Sequence, residues 1–243
     1  MSETEEAIKE RPILFNGAMV RAILAGRKTQ TRRVIDSKRV LDAAQKKIGF
    51  EFSMEHARAS NFVAELERLG VIKPAAAPFR SMQLSVPIRH PDDARTPWQD
   101  CGYHRMYCPL GAPGDRLWVR ETHLIRGAGT DCGYRADMSD FDAVGIGAMY
   151  GGWKPSIFMP RWASRITLEI TGVRVERVRQ ISGGDAIAEG IIPLFSASDT
   201  PEMRAATAVA AYSNLWDSIN KKRGFGWDVN PWVWVIEFKR VTA

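Results

Sequence analysis

The stretch "SRITLEITGVRVERV", Ser164 to Val178, decides what kind of fold this chain makes. Ile166, Leu168 and Ile170 alternate with Thr167, Glu169 and Thr171, the period of a strand with one face buried and one wet. After Gly172 the apolar phase slips to Val173 and Val175. A bulge or sharp bend at the glycine accounts for the slip, because one extra residue turns every later side chain to the other face. The segment reads as a strongly bent strand. Such strands with a few helices between them predict an α+β chain built on a small barrel with helical insertions.

Downstream, "SGGDAIAEGI" reads as a short helix capped at Ser182 or Asp185. "PEMRAATAVAAYSNLWDSIN" reads as a longer helix, with Met203, Ala206, Ala210 and Leu215 as inward candidates. "NPWVWVIEFKRV" is a strand with Trp232, Trp234, Ile236 and Phe238 on one face. Upstream, "GDRLWVRET" is a strand after the turn Pro113-Gly114-Asp115. Near the N-terminus, Ile13 to Phe15 is strand-like. Asn16 is placed to cap a helix whose apolar residues are Met19, Val20, Ile23 and Leu24, and Gly26 to end it in a left-handed turn. Residues 37 to 70 read as helical, whereas Lys73 to Pro113 is irregular and proline-rich. The expected organisation is a lead-in over residues 1–10, a domain formed by 11–36 and 113–243, and a mostly helical or irregular insertion at 37–112.

The 243 residues are 45% hydrophobic and 26% charged, the composition of an ordinary globular chain with a sizeable core. No apolar run approaches the roughly 18 residues that span a bilayer, and "MSETEEAIKE" is unlike a signal peptide, so a cytoplasmic protein without a membrane partner is expected. Three cysteines, Cys101, Cys108 and Cys132, fit a reducing compartment. A net charge of +6 favours a polyanionic partner such as nucleic acid. Eight tryptophans serve a core if buried and stack on bases if exposed.

The chemistry concentrates in "LAGRKTQTRR", Leu24 to Arg33. A solvated basic loop is one reading. Another is a threonine nucleophile beside an activating lysine. Residues three apart face opposite ways in a straight strand but the same way in a turn, and Gly26 allows a turn. A threonine hydroxyl attacks well only if a base takes its proton, and lysine serves as that base only when burial or nearby cations depress its pKa. Arg27, Arg32 and Arg33 supply such cations.

Elsewhere the signals are weaker. "CGYHRMYC" separates its cysteines by six residues, which is no zinc-knuckle spacing, and no metal or cofactor is expected. His56, His90 and His123 have no catalytic motif around them. "GWKPSIFMPRWASR", Gly152 to Arg165, either clamps a base or sugar-phosphate with Trp153, Lys154, Arg161 and Trp162, or packs its tryptophans against the fold.

In this order, "AILAGRKTQTRR", "PGDRLWVRE", "ISGGDAIAEGI" and "PWVWVIEFKRV" resemble the ASCH-domain family, whose PUA-like fold is a small bent β-barrel with flanking helices. The segment "KPSIFMPRWASRITLEITGVRVERV" is similar to the long members found in phages and prophages of Gram-negative bacteria. One branch of the family hydrolyses the acetamide of N4-acetylcytidine with a lysine, a threonine and a glutamate. Its R-K-T-x-T-x-R motif matches Arg27, Lys28, Thr29, Thr31 and Arg33, and its glutamate matches Glu189. The resemblance thus implies Lys28, Thr31 and Glu189 as catalytic residues. It implies Arg27, Thr29, Arg32 and Arg33 as substrate-binding residues, with Trp153, Lys154, Arg161 and Trp162 added from the long loop. Other members are RNA-binding modules or ribonucleases, so the expected partner is a modified nucleoside or a nucleic acid, RNA ahead of DNA. In the binding alternative Lys28, Arg32, Arg33, Lys154 and Arg161 would meet phosphates.

Overall fold

The computed structural model describes residues 8–35, 82–84, 104–106, 108–126, 131–194, 196 and 199–241, with only the backbone for 82–84 and 104–106. The expectations for residues 37–70, most of the insertion, Cys101, His56 and His90 lie outside the described residues.

The chain is α+β. Its main sheet has five strands, β1 (Glu10–Leu14), β2 (Gln30–Val34), β5 (Arg116–Arg120), β8 (Thr167–Arg177) and β9 (Trp232–Val241), in the order β1-β5-β8-β9-β2. β1 runs parallel to β5 and the other pairs are antiparallel. Two short antiparallel pairs stand apart: β3 (Met82–Leu84) with β4 (His104–Met106), and β6 (His123–Arg126) with β7 (Asp131–Tyr134).

The bend at Gly172 is real. Along β8 and β9 the register shifts between Ile170 and Gly172, so Ile170 faces Phe238 and Gly172 faces Glu237. A Cβ at Gly172 would lie 2.7 Å from the Glu237 carboxylate, so the residue is glycine for closeness as well as for the bulge. Before the shift β8 lies between β5 and β9, and after it β9 lies between β8 and β2. The bulge therefore divides the sheet into two halves.

The sheet does not close into a barrel. β1 pairs with β5 and β2 with β9, and the two edges are joined by α1 (Gly17–Leu24) rather than by strand pairing. Val20 and Ile23 of α1 pack with Ile13, Phe15, Leu168, Ile170, Trp234, Ile236 and Phe238 in one core. A second core on the opposite face holds Val233 and Val235 of β9 with Ala186, Ala208, Tyr212 and Trp216. β9 is thus buried on both sides, and Trp232, expected with Trp234 on the inner face, is only half-buried. Full burial of each of these large apolar side chains contributes about 1.5–3 kcal/mol.

Local signals hold at the helix ends. The Asn16 side chain accepts from Met19 N, and Gly26 turns the chain with φ +71°. α2 (Asp140–Met149) is capped by Ser139. α3 (Gly183–Ala188) starts at Ser182, whose hydroxyl accepts from Asp185 N while Asp185 reaches back. α4 (Pro201–Asn220) turns a different face inward from the one expected. Its inward residues are Ala208, Tyr212, Trp216 and Asn220, whereas Met203, Ala206 and Ala210 face solvent and Leu215 is half-buried. The helix is alanine-rich, so its apolar periodicity is too faint to set the phase. Two aromatics and an asparagine at four-residue spacing set it instead.

Candidate active site

Lys28 leaves α1 through the Gly26 turn and enters the protein just before β2. Its backbone N–H donates to Ala22 O at 3.1 Å, and Thr29 N donates to Ala188 O at 2.8 Å, which ties the loop to the end of α3. Glu189 caps that helix, and Gly190 turns the chain away with φ +93°. A Cβ at Gly190 would lie 2.9 Å from Ala22 Cβ and 3.2 Å from Lys28 Cβ. Glycine here supplies both the left-handed turn and the room in which the two segments meet.

The Lys28 ammonium is fully enclosed. It donates to Glu189 Oε2 at 2.8 Å, Glu189 O at 2.7 Å and Gln30 O at 2.9 Å, so all three of its protons are held. The other carboxylate oxygen, Oε1, accepts from Arg32 at 3.3 Å. Arg32, also enclosed, reaches Glu176 at 3.2 Å and Asp185 at 3.5 Å. Arg174 bonds Glu176 and Glu237 and approaches Asp185 at 3.4 Å. Gln30 adds two bonds to Asp185, at 2.9 and 3.0 Å. Cations without carboxylates here would carry a penalty of several kcal/mol each. The acids and bases are therefore mutually obligatory.

Burial lowers the Lys28 pKa below its ordinary 10.5, opposed by the Glu189 charge and hydrogen bond and reinforced by Arg33 and Arg32. Burial alone would raise Asp185, but its bonds to Ser182 and Gln30 and the Arg32 charge hold it below the usual carboxylate value.

Above this network, between β2 and α4, lies a pocket of about 70 Å³. One side is polar, with Thr31, Arg32, Arg33, Glu189, Tyr212 and Arg223, and the rest is largely apolar, with Met19, Leu215 and Ile219. The volume holds about five water-sized spheres. Thr31 is only 2% exposed. Its hydroxyl has no hydrogen-bond partner among the described residues, and it is not one of the fully enclosed orphan atoms there. Arg33 lines the same pocket but commits one nitrogen to Leu14 O at 2.8 Å, with its guanidinium 5.4 Å from the centre of the Phe15 ring.

The other expected residues lie elsewhere. Arg27 and Thr29 are exposed on the loop and do not line the pocket. Trp153 donates to Ala143 O at 2.8 Å and packs on Gly147. Lys154 exchanges backbone hydrogen bonds with His123. Arg161 pairs with Glu10 at 3.0 Å and lies over Trp118, and Trp162 is exposed. The segment is anchored by Arg165, which grips Glu121 and Asp137 and covers the Tyr134 ring. None of these residues lines the pocket.

Sequence reasoning missed Gln30, Glu176, Asp185 and Tyr212. The i, i+4 stripe of Tyr212, Trp216 and Asn220 was the available signal for the last. Among the described residues no group of three or more His, Cys, Asp or Glu is placed to hold a metal, and no helix is long and apolar enough to cross a membrane. Compared with family models, curated proteins and solved structures, the chain matches none.

Proposed function

We propose that this chain is an amidohydrolase of N4-acetylcytidine type, with Lys28, Thr31 and Glu189 as its catalytic residues on an ASCH-type, PUA-like fold. The observation that carries the reading is the enclosed Lys28–Glu189 pair beneath a pocket lined by Thr31, whose hydroxyl has no hydrogen-bond partner among the described residues. A buried, unpartnered hydroxyl is costly unless a ligand or water meets it.

The proposed chemistry starts from the Lys28–Glu189 contact; Lys28 and Thr31 are not hydrogen-bonded to each other here, so the proton transfer between them belongs to the substrate-bound state. Lys28 holds three protons and becomes a base by passing one to Glu189 across 2.8 Å. Burial, which lowers the lysine's pKa, favours that transfer. Neutral Lys28 takes the Thr31 proton as Oγ attacks the acyl carbon. The C–N bond then breaks, the amine leaves with the proton held by the pair, and the acetyl group rests as an ester on Thr31. Water attacks that ester, its proton returns Thr31 to the hydroxyl form, and acetate departs. The sum is amide plus water to amine plus carboxylic acid.

A phosphate-binding role for Lys28 and Arg32 fits less well, because both cations already hold carboxylates. Acid–base cleavage of RNA would use the same Lys28–Glu189 pair but gives Thr31 no task.

The test is hydrolysis of N4-acetylcytidine by the full chain and by Thr31→Ala. Loss of turnover in the variant, with an unchanged denaturation midpoint, supports the nucleophile. Equal rates exclude it. RNA cleavage retained by Thr31→Ala and lost in both Lys28→Ala and Glu189→Ala would point to a ribonuclease.

A further inference from the structure

Thr31 is not the only hydroxyl on this pocket. Tyr212, four per cent exposed, lines it from α4, opposite β2. Its hydroxyl has no hydrogen-bond partner among the described residues and is not one of their fully enclosed orphan atoms. The ring is held firmly, tilted against Trp216 at 6.2 Å, edge-on to Trp227 at 6.2 Å and 6.0 Å from the Arg32 guanidinium carbon. A phenol fixed by three neighbours with its polar end unpaired is built for something that arrives.

We propose that Tyr212 is a further catalytic residue, donating its O–H to the acyl oxygen as negative charge develops there during attack by Thr31. This deepens the amidohydrolase reading and rests on it. The neighbours leave few other groups for the task. Glu189 keeps its two carboxylate oxygens on Lys28 and Arg32, so the proton it takes from Lys28 stays in that contact and is not aimed at the acyl oxygen. Arg33, expected from the sequence to bind substrate, has an arm tied to Leu14 O and its guanidinium near the Phe15 ring. Tyr212 is preorganised instead, with no partner among the described residues to give up. Burial, and next the Glu189 charge, raise the phenol's pKa well above 10.0, so at neutral pH the hydrogen needed for donation is present. A donor aimed at developing charge in a dry site is worth more than the same group in water. In the step itself, the phenol keeps its proton and the hydrogen bond shortens as the tetrahedral oxyanion forms. It lengthens again when the C–N bond breaks.

The experiment compares the full-length protein with Tyr212→Phe and Thr31→Ala on N4-acetylcytidine, with a thermal melt of each. Tyr212→Phe removes only an unpartnered oxygen, so its Tm is expected at or above the parent's. Its kcat is expected to fall about 10²- to 10³-fold with little change in KM, the loss seen for one oxyanion donor. Parent activity abolished by Thr31→Ala but retained in full by Tyr212→Phe would overturn the donor role and leave the hydrolase reading standing. No hydrolysis by the parent protein would overturn both. Should Tyr212→Phe fail to fold, 3-fluorotyrosine at position 212 replaces it. That residue keeps the shape with a more acidic hydroxyl; a raised kcat supports the donor and an unchanged one overturns it.

Discussion

Lys28 Nζ and Glu189 Oε2 meet at 2.8 Å although the residues stand 161 positions apart, and the lysine side chain is entirely shielded from solvent. Removing one partner of such a pair leaves a buried charge uncompensated. Glu189→Gln is therefore expected to lower stability by about 3–5 kcal/mol. Replacing both residues, as Lys28→Met with Glu189→Leu, is expected to restore most of that loss, because a well-packed apolar pair often matches a buried ion pair. Urea midpoints of Lys28→Met, of Glu189→Leu and of the double variant measure the coupling. Additive losses would show that the pair is not coupled.

Gly190 makes the meeting possible, and its replacement is the sharpest structural probe of the site. Alanine at this position suffers the positive φ of +93° and a contact of 2.9 Å with Ala22 Cβ. A cost of about 1–3 kcal/mol follows from the backbone conformation alone. The strain falls next to Glu189, so hydrolysis is expected to drop more than the denaturation midpoint would indicate. Parallel measurement of both decides it; an unchanged midpoint would mean that the turn is not under this constraint.

Much of the local structure was legible in the sequence because its causes are local. The Gly172 phase slip foretold the register shift, and Asn16, Gly26 and Ser182 marked helix ends where they stand. The phase of α4 was not legible, since a run of alanines carries almost no amphipathic signal. Closure into a barrel was not either. Edge pairing depends on what fills the gap between β1 and β2, and here α1 joins them. At the site, Lys28 and Thr31 stood out by spacing, but Glu189 was attached to them through a family resemblance. Nothing in residue spacing reports a contact across 161 positions. Tyr212 escaped notice for a related reason: it reads as a core aromatic until its unpaired hydroxyl is seen on a pocket wall.

Asp185 links the ion network to acid stability. Despite burial, its carboxyl is held below 3.8 by Ser182, Gln30 and Arg32. Near and below that ordinary value the unfolded chain binds more protons at this position than the folded chain, so stability must fall as the pH drops through the lowered native pKa. Asp185→Asn is expected to weaken the protein at neutral pH and to make its acid decline shallower. Urea midpoints of parent and variant, from about pH 7 down to about pH 3, test this through the linkage slope. Parallel curves would exclude the assignment.

The loop from Gly152 to Arg165 separates the substrate question from the catalytic one. Trp162 is 55% exposed and does not line the pocket, so Trp162→Ala is expected to change stability by no more than about 0.5 kcal/mol. Hydrolysis of a free acetylated nucleoside is expected to proceed at the parent rate. If the substrate residue lies within a strand of RNA, the exposed indole offers a stacking face for a neighbouring base, worth about 1–3 kcal/mol. The same substitution would then raise KM for an acetylated oligonucleotide while leaving the free nucleoside untouched. Kinetics of Trp162→Ala on both substrates distinguish the cases: a selective loss on the oligonucleotide places the polymer across this loop, and equal kinetics on both confine recognition to the pocket between β2 and α4.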